Sequence, residues 1–295
     1  MNTLKLIYKN LKGSKISTIF NFIGLITAFS AFILIMLYVW TEYNFDSYHE
    51  DAENIYRLEI KSPGKEKTSV YMVGQTKDVI AEQLPEVVAT TTYMPWGKWG
   101  EILFEWEVNG TKQRSYEDYA IADKYLTEVF TFDFINSNGA NPLAEPNTAM
   151  VSETFAEKLW GTHNVLGKTF KTNGEEYSVT AVFRTPQKNS VFNEPVILSF
   201  PTTGWVADSY KTWGVVNFPE FVKVKSGTSA SEFQTRINEI DILKEKYNFY
   251  NKDNEKTTII ARTLTDLRFA KDVAENPLFN TNNKSSVNTL FAVGI

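Results

Sequence analysis

The chain has 295 residues, no cysteine, two histidines and a formal net charge of −5. Without thiols it forms no disulfide and no thiolate metal site, and His49 and His163 alone cannot furnish a histidine-rich one. Four lysines among residues 1–15 contribute +4 and residues 16–41 nothing, so residues 42–295 carry −9, which argues against nucleic acid or an anionic membrane surface as partner.

Residues 2–12 place Leu4, Ile7, Tyr8 and Leu11 at helical spacing, with Lys5, Lys9 and Lys12 off that face. This is the pattern of a short amphipathic segment lying in a membrane interface. From Ile16 to Thr41 run 26 residues without a charge, roughly 39 Å of helix at about 1.5 Å per residue, against a hydrocarbon core of about 30 Å. Residues 16–41 are therefore expected to span a bilayer, with Ile16 and Thr41 as the span ends. A secretory signal peptide would carry a shorter apolar core and a small-residue cleavage site; here bulky, acidic sequence follows (Glu42, Tyr43, Asn44, Phe45, Asp46). Lys5, Lys9, Lys12 and Lys15 act as positive anchors and put the amino terminus on the cytoplasmic side. Tyr38, Trp40 and Tyr43 form an aromatic belt at the outer boundary, and the remainder is expected outside the cell.

Beyond the span, residues 54–61 alternate Tyr56, Leu58 and Ile60 with Arg57, Glu59 and Lys61, the signature of a half-buried strand. A helix is predicted from about Thr76 to Leu84, before Pro85. Ile102, Phe104, Trp106 and Val108 alternate up to Asn109-Gly110, which predicts a hairpin with residues 112–116 as its second arm. Ser152 caps a helix that runs to Trp160 and ends at Gly161. Strands are predicted at 177–183, 220–225 and 257–262. Ser229-Ala230-Ser231-Glu232 reads as a capping box, opening a helix with Phe233, Ile237, Ile240 and Tyr247 on one face. Strands and helices mix without strict alternation, so the fold class is α+β.

No stretch carries recognisable catalytic chemistry, and the chain is not expected to be an enzyme or to hold a cofactor. Gly161 to Thr169 imitates a phosphate-binding loop but has five residues between its glycines instead of four; Gly167 is expected in a turn. His49-Glu50-Asp51-Ala52-Glu53 lacks the second histidine of a zinc-protease helix and reads as a polar turn. Ser62-Pro63-Gly64-Lys65 reads as a hairpin turn, not a serine–lysine pair. Tyr93, Trp96, Trp99, Phe104 and Trp106 form the densest aromatic stretch. They are expected in the core, the alternative being a cleft for an apolar or sugar-like ligand. The uncharged end after Lys284 leads to the expectation that residues 287–295 begin a second span and that the natural chain continues.

Residues 45–58 (FDSYHEDAENIYRL), directly after the first span, resemble the opening of the outer domain in FtsX-like permeases of ABC transporters. Residues 146–161 (PNTAMVSETFAEKLWG), followed by 164–169 (NVLGKT), are similar to a segment of the MacB-type periplasmic core domain. The strand 177–183 and Leu264-Thr265-Asp266-Leu267 also fit, so the resemblance covers essentially the whole chain.

That resemblance implies a periplasmic core domain over 42–286 in the bacterial inner membrane. A porter part would comprise roughly 42–95 and 215–286, with a sabre part inserted over roughly 96–214. It implies a second permease subunit, a cytoplasmic ATPase that is a separate subunit because only 15 residues precede the span, and a periplasmic adaptor as a further possible partner. The implied function is mechanical: ATP-driven motion passes to the outer domain, which exports or releases peptide, lipoprotein or drug-like cargo. The rival expectation is a ligand-sensing domain between the two spans of a membrane receptor.

Overall fold

The structure, a computed structural model, describes residues 15–96, 100–108, 110–185, 189–190, 192–248, 256–274 and 281–294. The expected interfacial segment with Lys5, Lys9 and Lys12, and also Trp99, Asn109 and Ile295, lie outside the described residues. The chain divides into two compact units, 1–44 with 282–295, and 45–281.

The first unit contains α1 (Lys15–Tyr43) and α8 (Lys284–Gly294). Its longer helix is apolar all round and has no polar stripe, so no face of it is set aside for water.

The second unit is a mixed sheet with helices. Its strands are β1 (Ile55–Lys61), β2 (Thr68–Ser69), β3 (Tyr71–Val73), β4 (Val87–Pro95), β5 (Ile102–Val108), β6 (Thr111–Glu117), β7 (Ala120–Ala122), β8 (Phe134–Ser137), β9 (Thr148–Ser152), β10 (Thr169–Thr172), β11 (Glu175–Phe183), β12 (Val196–Ser199), β13 (Val216–Val224), β14 (Thr258–Thr263) and β15 (Val273–Ala274). The helices are α2 (Thr76–Gln83), α3 (Leu126–Val129), α4 (Glu153–Trp160), α5 (Gly204–Tyr210), α6 (Ala230–Glu239) and α7 (Asp241–Asn248). One hydrogen-bonded path runs β15-β2-β1-β13-β4-β7-β12-β9-β11-β10-β5-β6, with β14 on β1, β3 on β13 and β8 on β11. Parallel pairs (β9 with β11, β7 with β12) sit among antiparallel ones, so the α+β expectation holds.

Local signals place several elements as expected. The Ser152 hydroxyl accepts the Phe155 N–H at 3.2 Å, and Gly161 closes α4 at φ 66°, where a side chain would be strained. Val108 faces Thr111 across the β5–β6 turn. Lys65 N–H donates to the Ser62 carbonyl at 3.2 Å, which makes the Pro-Gly segment a turn.

Two expectations need correction. Strand β1 is not half-buried: every residue from Ile55 to Ile60 is buried, Arg57 and Glu59 included. It is flanked by β13 and β14 and therefore interior to the sheet. The single helix carrying Phe233 to Tyr247 is two. Ile240 adopts extended backbone (φ −66°, ψ 113°) between α6 and α7. Both helices still deliver Phe233, Ile237 and Leu243 to one core with Leu58, Ile80 and Val222.

A second core gathers Phe104, Phe155, Leu159, Val179 and Val196 around α4. A third, with Ile55, Tyr93, Phe130, Met150, Phe183 and Phe221, takes residues from strands along most of the path. The aromatic stretch divides accordingly: Tyr93 and Phe104 are buried, while Trp96 and Trp106 pack half-buried against the α4 core.

Candidate functional site

In the first unit, 28 residues from Ile16 to Tyr43 are long and apolar enough to cross a membrane. Ile16, Phe20, Leu34 and Trp40 all stand exposed, an apolar surface that water would not tolerate over such a length. The Thr27 hydroxyl donates back to the Ile23 carbonyl at 2.9 Å and Thr41 to Leu37 at 2.8 Å, so both hydroxyls are satisfied inside the helix. Of the three residues expected to form an aromatic belt, Tyr38 accepts from the Asn282 amide at 2.6 Å, Tyr43 donates to Asn288, and Trp40 makes no such side-chain bond among the described residues.

In the second unit the notable chemistry is buried charge. On β1, Arg57 donates to Glu59 Oε1 through Nε at 3.2 Å and Nη2 at 2.5 Å. Arg262 on β14, the register partner of Arg57, reaches both oxygens of Glu59 at 2.9 and 3.1 Å and Asp272 at 2.8 Å. Thr68 completes the shell of Glu59 at 2.7 Å. Burial works against the Glu59 carboxylate, but Arg57 and Arg262 outweigh it and hold its pKa below the usual carboxylate range.

A second cluster centres on Lys77 in the first turn of α2. Its buried ammonium meets Asp78 Oδ1 at 2.9 Å and Asp123 Oδ2 at 3.0 Å. It lies 5.9 and 5.7 Å from the ring centroids of Tyr125 and Tyr210. Burial penalises this charge, yet Asp123, Tyr210 and Asp78 overcome it and raise the lysine pKa. Asp123 also accepts from Thr91 Oγ1 at 2.7 Å and from Thr92 N at 3.1 Å, which fixes the loop after β7 to β4. Beneath lies Glu220 on β13, fully buried. One of its oxygens accepts the Lys77 backbone N–H at 3.0 Å and the other has no hydrogen-bond partner among the described residues. Burial drives its pKa well up, only partly offset by Lys77, so it keeps a proton where ordinary carboxyls have lost theirs. Gly74 packs so tightly here that a Cβ would stand 2.4 Å from the Tyr210 ring, whose hydroxyl binds Asp78 at 2.8 Å.

His49 sits in an aromatic box of Tyr48, Phe130 and Phe192, with centroids 4.1, 5.2 and 5.2 Å away. Its Nδ1 accepts the Thr131 N–H at 3.1 Å, and Asp46 Oδ1 stands 3.9 Å from Nε2. Burial lowers its pKa to about 3. The segment is a turn, but its histidine points inward, contrary to the polar turn expected from sequence.

Sequence reasoning missed all three clusters. The available signals were Arg57 and Glu59 two apart on one strand face, and a Tyr-His pair inside an otherwise acidic run. In the Gly161–Thr169 stretch Gly161 terminates a helix and Gly167 (φ 77°) makes a turn, as expected. Among the described residues no group of three or more His, Cys, Asp or Glu side chains is arranged to hold a metal.

The family description "MacB-like periplasmic core domain" matches residues 18–240. A solved permease-protein domain from Porphyromonas gingivalis is similar with TM-score 0.58 and 18% identity, covering 73% of this chain and 92% of that one. The periplasmic region of MacB from Actinobacillus actinomycetemcomitans gives 0.46 and 12%, with 71% and 89% covered. The extracellular domain of the noncanonic ABC-type transporter YknZ from Gram-positive bacteria gives 0.45 and 13%, with 70% and 100% covered. At 18% identity the first of these likenesses is one of fold alone. No curated protein matches the chain.

Proposed function

Because the chain belongs to the MacB-like periplasmic core domain family, we propose that it is a permease subunit whose outer domain carries motion driven by a separate cytoplasmic ATPase. In this reading α1 crosses the inner membrane between Ile16 and Thr41, and Lys5, Lys9, Lys12 and Lys15 stay on the cytoplasmic side. Tyr38, Trp40 and Tyr43 lie at the outer headgroups. The subunit pairs with a second permease subunit, works with a periplasmic adaptor where one is present, and moves or releases peptide, lipoprotein or drug-like cargo. The porter part would be roughly 42–95 with 215–286, and the sabre part roughly 96–214.

One observation carries the mechanical reading: a single hydrogen-bonded path joins β15 to β6. The Lys77 cluster reinforces it where the proposed parts meet. Lys77 and Glu220 belong to the porter part and Asp123 to the sabre part, so their buried contacts resist separation of the two. Elements so tied turn and shift together and do not deform independently.

The absence of cysteine makes the test direct. Lys9→Cys and Glu82→Cys are placed singly in the full chain, and intact cells are treated with a membrane-impermeant maleimide. Residue 82 should label in intact cells and residue 9 only after lysis, and an ATP-hydrolysing subunit should co-purify with the chain. The reverse labelling, or purification without any such subunit, overturns the reading.

A further inference from the structure

The hydrogen-bonded path of the sheet ends on β6, which pairs with β5 and with no other strand among the described residues. Every residue from Thr111 to Glu117 faces one on β5, without a shift of register. The turn sets Val108 opposite Thr111, so Thr111, Gln113, Ser115 and Glu117 bond to β5. The backbone N–H and C=O groups of Lys112, Arg114 and Tyr116 therefore point away from it. Proline, a bulge or a covering loop ordinarily blocks such an edge. This strand has no proline and no bulge, and among the described residues no backbone hydrogen bond covers its outer row.

The side chains along the edge are unspent as well. Lys112, Arg114, Tyr116 and Asp118 are exposed, and none of them makes an ion pair, a side-chain hydrogen bond or a ring contact among the described residues. Glu107 faces Lys112 and Glu105 faces Arg114 on β5, yet neither pair closes to an ion pair there. Basic residues occupy the first half of the segment, while Tyr116, Glu117 and Asp118 occupy the second. A strand so divided complements an antiparallel copy of itself. An acidic strand from elsewhere would meet Glu117 and Asp118, and a basic one Lys112 and Arg114.

Charge also selects the register. Pairing centred on Gln113 sets Lys112 against Arg114, and pairing centred on Arg114 sets two guanidinium groups face to face; like charges directly opposite are destabilising. Pairing centred on Ser115 sets Lys112 against Asp118, Arg114 against the Tyr116 ring and Gln113 against Glu117. The Ser115 hydroxyl and Lys158 both bind Glu117 through Oε1, which leaves Oε2 for the Gln113 amide of the other copy.

We propose that β6 is an interaction surface for a second copy of this chain: two β6 edges join antiparallel, about a two-fold axis at Ser115, into one continuous sheet. A strand edge buries little surface, so confinement of both copies to one membrane supplies the effective concentration. The inference rests on the membrane anchoring proposed above and on nothing else in that reading. Labelling of residues 9 and 82 tests the anchoring separately.

The test uses the full chain in membranes of the expressing cells, where it has no thiol of its own. Ser115→Cys sets two thiols opposite each other at a pair without hydrogen bonds, where antiparallel strands bring Cβ atoms closest. Mild oxidation with copper phenanthroline should then yield a covalent dimer. Gln113→Cys should yield none alone and one when co-expressed with Glu117→Cys. On the Ser115→Cys chain, Tyr116→Pro removes an outward N–H without touching the β5 ladder and should abolish the dimer. On the same chain, Lys112→Glu and Asp118→Lys should each lower the dimer yield about fivefold, and co-expression of the two should restore it. These exposed charge variants keep the test valid if Tyr116→Pro misfolds. The proposal is overturned if Ser115→Cys crosslinks no more than Gln113→Cys, if folded Tyr116→Pro crosslinks as the parent does, or if co-expression of the charge variants restores nothing.

Discussion

Acidification from pH 7 to 4.5 should withdraw the contribution that one buried side chain, His49, makes to the stability of the folded domain. The ring is 3% exposed, and burial lowers its pKa to about 3 from an ordinary 6.5. Between those values the unfolded chain binds a proton that the folded chain refuses. The stabilising contribution is therefore complete above pH 6.5 and is lost progressively as pH falls towards 3. At pH 4.5 two units of that window have been crossed, about 3 kcal/mol at about 1.4 per unit. Asp46 and Lys223 are charged groups that face the ring, with the Tyr48 ring tilted at 36° beside it. Asp46 is too distant to accept a hydrogen bond, and Lys223 opposes a further positive charge. The comparison is with His49→Asn, whose side-chain oxygen can still accept the Thr131 N–H but which does not titrate. Urea unfolding of both proteins, followed by tryptophan fluorescence at pH 7 and pH 4.5, removes the baseline cost of the substitution by double difference. The parent should lose about 3 kcal/mol more than the variant. Parallel losses would refute the assignment of the acid sensitivity to this ring.

Three further outcomes follow from the buried charges and one close contact. Glu59→Gln removes the buried carboxylate that both Arg57 and Arg262 bind and should cost about 3–5 kcal/mol in urea unfolding. Arg262→Gln, at a partly exposed position and with Glu59 still served by Arg57, should cost less than half of that; equal costs would contradict the network. Glu220→Gln should flatten the loss of stability that sets in as pH rises above the ordinary glutamate value of 4.5. The folded carboxyl, its pKa raised by burial, holds a proton that the unfolded one has released, so its contribution is complete below the ordinary glutamate value and declines as pH rises; an unchanged slope speaks against it. Gly74→Ala must displace the Tyr210 ring from a Cβ 2.4 Å away, lowering the thermal midpoint by the equivalent of about 1–3 kcal/mol, and crowding without effect would show that the contact is slack.

What could be read from sequence was local. The Ser152 cap, the Gly161 terminus and the β5–β6 hairpin each depend on residues within a few positions of one another, and the structure returns each of them. The misreadings are all nonlocal. Alternation along β1 placed Arg57 and Glu59 towards water because a strand pattern cannot know that Arg262 and Asp272, some 200 positions away, will cover that face. The capping box at Ser229 started α6 correctly. Its end at Ile240 came from the need to bring Leu243 and Tyr247 against α2, where the Tyr247 hydroxyl meets Thr76 at 2.6 Å. His49 was misread for the same reason: the chain around it is acidic, and the rings that enclose it come from residues 130 and 192.

The sequence by itself determined an uncharged stretch long enough for a bilayer, a mixed α+β domain after it, and a family resemblance that the matched residues uphold. These rest on composition, period and neighbouring residues, which act over one or two turns of chain. Only the tertiary structure decided which charges go inside, because burying an ion is tolerable solely where partners from distant strands arrive to meet it.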